Sequence, residues 1–239
     1  MIVRLLLAAL AAGLIAGMVM TPAQYTRIVP LILQAETYEN GDAGHAHGVA
    51  ETDGAAVAAH DHGEEETVLG FGRLGNTVLA NLVAGAGFAL LLAAVALLTG
   101  IEFPAGRDAV VRGLMLGAAG WFSVQLAPAF SLPPAVPGFP YADLGTRQEW
   151  WVIAVAASAL GLWLIVQRPE WIAKALGVIV IAAPHFWGSP VPEDLSSNVP
   201  AYIASAYAAA SLATTLFFWL VLGGLLGLFM SRVPPDQTA

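Results

Sequence analysis

Apolar residues gather into six runs, at about 2–20, 76–98, 109–130, 150–166, 171–187 and 203–230, and the polar stretches between them are short, with one exception. A bilayer core of about 30 Å is crossed by a helix of about 20 apolar residues. The run at 171–187 sits near that lower limit, rising roughly 25 Å as a helix. It carries a Trp at each end, which suits the two interfacial belts. If it crosses, the chain has six spans; if it is re-entrant, five. The predicted fold class is all-α: a polytopic membrane helix bundle of about six transmembrane helices.

The first run has Arg4 as its only charge and resembles a signal peptide. Its apolar core is long, however, and apolar sequence resumes at 28–33. It is therefore read as an uncleaved first helix over 1–33, with Pro22 and Pro30 placed to kink it as it leaves the membrane. Ala9, Gly13 and Gly17, spaced by four, form a small-residue stripe that lets another helix approach closely. Residues 131–145, SLPPAVPGFPYADLG, hold too much Pro and Gly to be helical throughout. A second Pro-containing loop, 188–200, carries Glu193 and Asp194. No internal repeat or inverted symmetry is visible.

Basic residues orient the spans. With the N-terminus inside, Arg4, Arg107, Arg112, Arg168, Lys174 and Arg232 fall on the inner side, against Arg27, Arg73 and Arg147 outside. Six against three puts both termini in the cytoplasm. The organisation expected is a first transmembrane helix at 1–33, an extracytoplasmic His/acidic loop at 34–73, a five-helix membrane bundle at 74–232 and a cytoplasmic tail at 233–239.

Composition agrees with the pattern. Charged residues make up 11% of the chain and hydrophobic ones 58%, where a soluble domain carries about 25% charged residues. Cysteine is absent, which excludes disulfides, thiolate metal sites and thiol catalysis. The formal net charge is −8, and removing the nine negative charges of the stretch 34–67 leaves +1 for everything else. The acidity is thus local, suited to attract cations and to repel nucleic acid.

That stretch is the exception among the polar segments. It holds four of the five histidines, as His45-x-His47 and His60-Asp61-His62, with no Lys or Arg between residues 28 and 72. An H-x-H pair on extended chain puts both rings on one side, where they can chelate one ion. Imidazole with carboxylate suits Co²⁺, Ni²⁺, Zn²⁺ or Cu²⁺. The alternative is a solvated acidic linker with chance histidines. Too little apolar material is present for the loop to pack on its own, so binding is expected to be weak and fast. Glu36 and Glu39 lie one turn apart if the first helix persists that far, as ligands at the loop's neck or as a solvated helix end. His185, at the outer end of the fifth run, is an ionisable residue at a membrane boundary and hence a functional candidate. Its structural alternative is a bond to a carbonyl freed by Pro184. Asp143 is placed to cap the fourth helix.

No acidic or basic residue falls near the centre of a span, where proton-coupled pumps usually need one. Neither a P-loop nor a nucleophile–base pair is visible, so the chain is not read as an enzyme.

Several stretches resemble a known family. They are RLLLAALAAGLIAG, VPLILQAETYE followed by the H-x-H loop, NLVAGAGFALLL, QLAPAFSLPPAVPGFPYADLGTRQEWW, PHFWGSP and SLATTLFFWLVLGGLLG. Together they are similar to the CbtA family of bacterial membrane proteins, probable cobalt transporter subunits. The LPPxxPG and DLxxRQxWW patterns are the most specific. The resemblance implies cobalt uptake across the bacterial inner membrane, tied to cobalamin synthesis, with a small single-span partner subunit of the CbtB type that bears its own histidine motif. By match to the motifs it implies metal-contacting roles for Glu36, Glu39, His45, His47, Asp143 and His185; His60 and His62 join them from the loop's own composition. Cobalt enters as substrate, with nickel or zinc as alternatives that imidazole and carboxylate cannot separate. The competing functional reading is a non-conducting metal-binding or sensing membrane protein.

Overall fold

In lipid a backbone must satisfy its own N–H and C=O groups, and apolar runs of this length can do so only as helices. A computed structural model describes residues 2–43 and 72–233, the side chains of 39–43 excepted, and among the described residues it is all-helical. The helices are α1 (Ile2–Arg27), α2 (Val29–Ala43), α3 (Gly72–Thr99), α4 (Arg107–Ala129), α5 (Leu144–Gln167), α6 (Trp171–Trp187) and α7 (Ala201–Met230). Five of them, α1, α3, α4, α5 and α7, are long and apolar enough to cross a membrane.

α6, at 17 residues, is shorter. It is nevertheless not re-entrant in shape, because it runs antiparallel along α5. Gly177 meets Gly161 and the side chain of Ile165, Ile181 reaches Gly161, and the His185 ring meets Trp150. The described helices therefore pass between the two ends of the bundle six times. One end, here the loop end, gathers α2, the start of α3 and the segments 130–143 and 188–200.

The first helix departs from the sequence expectation. α1 continues through Pro22 to Arg27, and only Ile28 interrupts it before α2. α2 carries the helix to Ala43, so the first ten residues of the expected polar loop are helical. Tertiary packing explains this: Ala35 is fully buried at the loop end, in an apolar cluster with Val136, Val199 and Ile203. The region 44–71, with His45, His47, His60 and His62, lies outside the described residues, as does the side chain of Glu39.

Glycine lets the helices touch backbone to backbone. A Cβ on Gly13 would fall 2.3 Å from the Gly85 carbonyl oxygen, and one on Gly17 the same distance from that of Asn81, joining α1 to α3. On α4 and α7, a Cβ at Gly113 or at Gly223 would fall 2.2 Å from the other's carbonyl oxygen. Where lipid supplies no hydrophobic drive between helices, such close approach gains dispersion and weak Cα–H···O contacts. The Ala9/Gly13/Gly17 stripe anticipated from sequence is buried as expected. Trp219, fully buried, fills the centre of α1, α3, α4 and α7, with its ring 4.8 Å from that of Phe88. Gly120 leaves room for it, since a Cβ there would meet the indole at 2.4 Å.

Polar groups inside the bundle pair with one another. Asn81 Nδ2 donates to Thr21 Oγ1 (3.1 Å) and Gln24 Oε1 (2.9 Å), tying α3 to α1. The hairpin α5–α6 packs on the rest mainly through α5 and the loop-end half of α4. That half is where the helix is irregular.

Candidate functional site

Near its loop end α4 widens into a π-turn over Phe122–Leu126, with the Ala127 N–H donating to the Phe122 carbonyl five residues back. Such turns are frequent at functional sites. The cause is legible nearby: Pro128 has no N–H to offer the Val124 carbonyl four residues before it. The Trp151 indole from α5 donates to that carbonyl instead, at 3.2 Å. On the other side the Trp121 indole donates to the Leu212 carbonyl and to Thr215 Oγ1, both at 3.2 Å, pinning α4 to α7.

Beside this turn lies a cleft of about 470 Å³ between α4, α6 and α7. Phe122, Leu126, Phe130, Ile181 and Leu212 make its wall apolar, and His185 is the one polar side chain among its lining residues. The imidazole is held from several sides. Its Nδ1 is hydrogen-bonded to Ser131 Oγ at 2.7 Å, and Phe130 and Trp150 stand edge-on to it at 5.4 Å and 5.6 Å. Ser189 Oγ donates to the Ser131 carbonyl, so the two loops at this end brace the serine. The Trp150 indole N–H is buried without a hydrogen-bond partner. His185 is thus bonded to a serine hydroxyl, not to a carbonyl freed by Pro184. This arrangement can fix the ring and its tautomer while leaving Nε2 as the only ring nitrogen free to act.

A second group of polar contacts surrounds α2. Arg73, in the first turn of α3, meets Glu36 at 3.2 Å, with both side chains partly exposed. Gln34 Nε2 donates to the Tyr202 hydroxyl at 3.0 Å, linking α2 to the start of α7. Below them the segment 130–143 buries Val136 against α2 and α7, and the Tyr141 hydroxyl donates to the Val136 carbonyl. Ser197 Oγ donates to the Gly138 carbonyl at 3.0 Å, closing one loop over the other. In the loop 188–200, the backbone N–H and then the hydroxyl of Ser196 hold the exposed Asp194 carboxyl below its ordinary range. Its charge therefore persists into mild acid.

A family model described as "Probable cobalt transporter subunit (CbtA)" matches residues 2–231. The chain belongs to the CbtA family. No curated protein and no solved structure matches it. The family description names a subunit, which implies a partner, and cobalt as the transported ion.

Within this CbtA-family chain the predicted site residues fall into three groups. Glu36 and His185 lie at the loop end, each with a defined partner; Glu39 follows Glu36 by one turn of α2. Asp143 is the N-cap of α5, its Oδ1 accepting from the Thr146 N–H at 3.0 Å, which is the capping role anticipated from sequence. The four loop histidines lie outside the described residues. Among the described residues no group of three or more His, Asp or Glu side chains comes close enough to hold a metal ion. Ser131, Phe130 and Trp150, which surround His185, were not anticipated from the sequence. The available signal was Pro128 five residues after Ser123, on a helix already carrying Gln125.

Proposed function

We propose that this chain is the multi-pass membrane subunit of a cobalt transporter in the bacterial plasma membrane, which captures the ion on its outward His/carboxylate loop and passes it to His185. The family match supplies the cargo and the subunit role. The observation that carries the route is that Glu36 and Arg73, at either side of the histidine loop, meet at the same end of the bundle as the braced His185. His45, His47, His60 and His62 provide the first ligands, with Glu36 and Glu39 at the loop's neck. At His185, Ser131 accepts from Nδ1–H, so that Nε2 presents its lone pair to the ion, the usual way a ligating histidine is oriented. The unpaired Trp150 N–H donates to a water of the hydrated cation. Asp143 acts by holding the start of α5. The remaining ligands at His185 come from the loop itself or from a small single-span partner subunit with its own histidine motif.

Cellular Co²⁺ accumulation tests this reading. Expression of the chain together with its partner raises accumulation above vector, and no gain with the protein confirmed in the membrane contradicts it.

A second reading, metal sensing without conduction, is favoured by a separate observation. The buried polar side chains among the described residues are Thr21, Asn81, Ser123, Ser158 and Thr214, none of them ionisable in the physiological range. Reconstituted vesicles separate the two readings: binding without Co²⁺ flux marks a sensor.

A further inference from the structure

A second, smaller cavity opens at the loop end, sharing Ala129 with the cleft beside His185. It measures about 270 Å³ and lies between two facing helical stripes. From α4 and the turn after it come Gln125, Pro128, Ala129 and Leu132; from α5 come Leu144, Arg147, Gln148 and Trp151. Both sets follow i, i+3, i+4, i+7 spacing, the signature of one helix face turned to another. The crevice is apolar along its walls and polar at three points.

Those three points share one chemistry. Arg147 is the only charged side chain among the residues lining the cavity, and among the described residues it is paired with no carboxylate; its guanidinium lies over the Tyr141 ring at 4.8 Å. Neither nearby acid forms an ion pair with it. Asp143 is engaged in capping Thr146, and Glu149, two residues along the helix, points off the stripe. The Gln125 and Gln148 carboxamides make no hydrogen bond to any described residue. Gln125 lies inside the apolar span of α4, where an unpaired amide is costly. Trp151 has spent its N–H on the Val124 carbonyl and contributes only its ring. The guanidinium repels a divalent cation, and together with the NH2 donors of two amides over an apolar floor it matches a phosphate.

We propose that this crevice binds the phosphodiester headgroup of a membrane phospholipid, with the phosphate on Arg147, the headgroup or glycerol oxygens on Gln125 and Gln148, and the acyl chains lying along the lipid-facing side of α4 and α5. The volume suits a headgroup rather than a whole amphiphile, which agrees with its position at the end of two spans. The ligand is thus distinct from the transported ion and would hold the α5–α6 hairpin against α4.

The test uses the full-length chain purified in mild detergent and studied by native mass spectrometry with added phosphatidylglycerol or with inorganic phosphate. The wild type retains one phosphatidylglycerol through gentle activation. Arg147→Gln reduces that retention about tenfold, and Arg147→Lys, which keeps the charge but loses the fork, falls between. Gln125→Leu, which leaves Arg147 in place, reduces it severalfold and decides the matter if Arg147→Gln fails to fold. Equal retention in Gln125→Leu and wild type, together with equal retention in any folded Arg147→Gln, overturns the proposal. So does a result in which inorganic phosphate binds and phosphatidylglycerol does not, since that marks a soluble-anion site.

Discussion

Glu36 on α2 and Arg73 on α3, 37 residues apart in sequence, meet at 3.2 Å across the mouth of the histidine loop. The pair brings together the helices from which the loop departs and to which it returns. Under the proposed function it also occupies one carboxylate that the loop would otherwise offer to an ion. Because both side chains are partly exposed, the pair itself contributes little to stability, on the order of 0.2–1 kcal/mol.

Competition between Arg73 and the metal for Glu36 follows. Arg73→Gln removes the competing cation and raises Co²⁺ affinity by up to about fivefold, the equivalent of about 1 kcal/mol; Glu36→Gln lowers it. Isothermal titration of the purified chain distinguishes this from a purely mechanical role, in which both substitutions weaken binding alike.

On the proposed route, capture and passage become separable at His185. Ser131→Ala leaves the imidazole without its orienting partner and lowers Co²⁺ transport about tenfold, within the range typical of groups that orient a metal ligand. His185→Ala abolishes transport while Co²⁺ binding by the loop is retained. Uptake and equilibrium binding measured on the same membranes check both, and loss of binding in His185→Ala would place the residue in the capture site instead.

The π-turn supplies a stability prediction. Trp151→Phe removes the indole donor from the Val124 carbonyl and costs about 1–3 kcal/mol. Adding Pro128→Ala restores a backbone N–H four residues on, and recovers much of the loss. Thermal unfolding in detergent of the two single variants and the double variant reads the coupling; additive losses would mean that Trp151 acts through packing alone.

Much of the bundle could be read from the chain before its structure. Each apolar run became a helix, four of the six within about four residues of the expected bounds, while the first ran on to Arg27 and the fourth began earlier, at Leu144; lipid leaves an apolar run of this length no other way to pair its backbone. The Ala9/Gly13/Gly17 stripe was also visible, since small residues every four positions serve one purpose in a membrane helix. α2 was not: QAETYEN is polar enough to read as loop, and its helix is held by the burial of Ala35 against residues more than a hundred positions away. The partners of His185 were hidden for the same reason. Ser131 is 54 residues distant and sits in a Pro-rich turn whose path no local pattern specifies. Pro128 signalled an irregular helix, but which indole would answer the freed carbonyl depended on how α5 packs.

Close helix contact through Gly223 is a further point of leverage. Gly223→Ala drives a methyl group to 2.2 Å from the Gly113 carbonyl oxygen, and the shift required costs about 1–3 kcal/mol, as overpacking typically does. Gly87→Ala, on a face with nothing within 4 Å, is neutral or slightly stabilising. Detergent unfolding midpoints of the two variants provide the comparison.

Histidine coordinates a metal only as neutral imidazole, so under the proposed capture role protons compete with the ion at the loop. Co²⁺ binding is fully developed above the ordinary histidine range, near about 6.5, and fades as pH falls through it. A binding curve flat from about pH 8 to about pH 5 would point to carboxylates as the sole ligands.

In the proposed function the loop captures the ion for the bundle to pass on. The most direct test is the concentration dependence of Co²⁺ uptake by cells expressing the chain and its partner, with His45, His47, His60 and His62 all replaced by Ala. A capture device predicts a half-saturating Co²⁺ concentration raised at least about tenfold, the scale of lost metal ligation, with the maximal rate retained. An unchanged half-saturating concentration would contradict it.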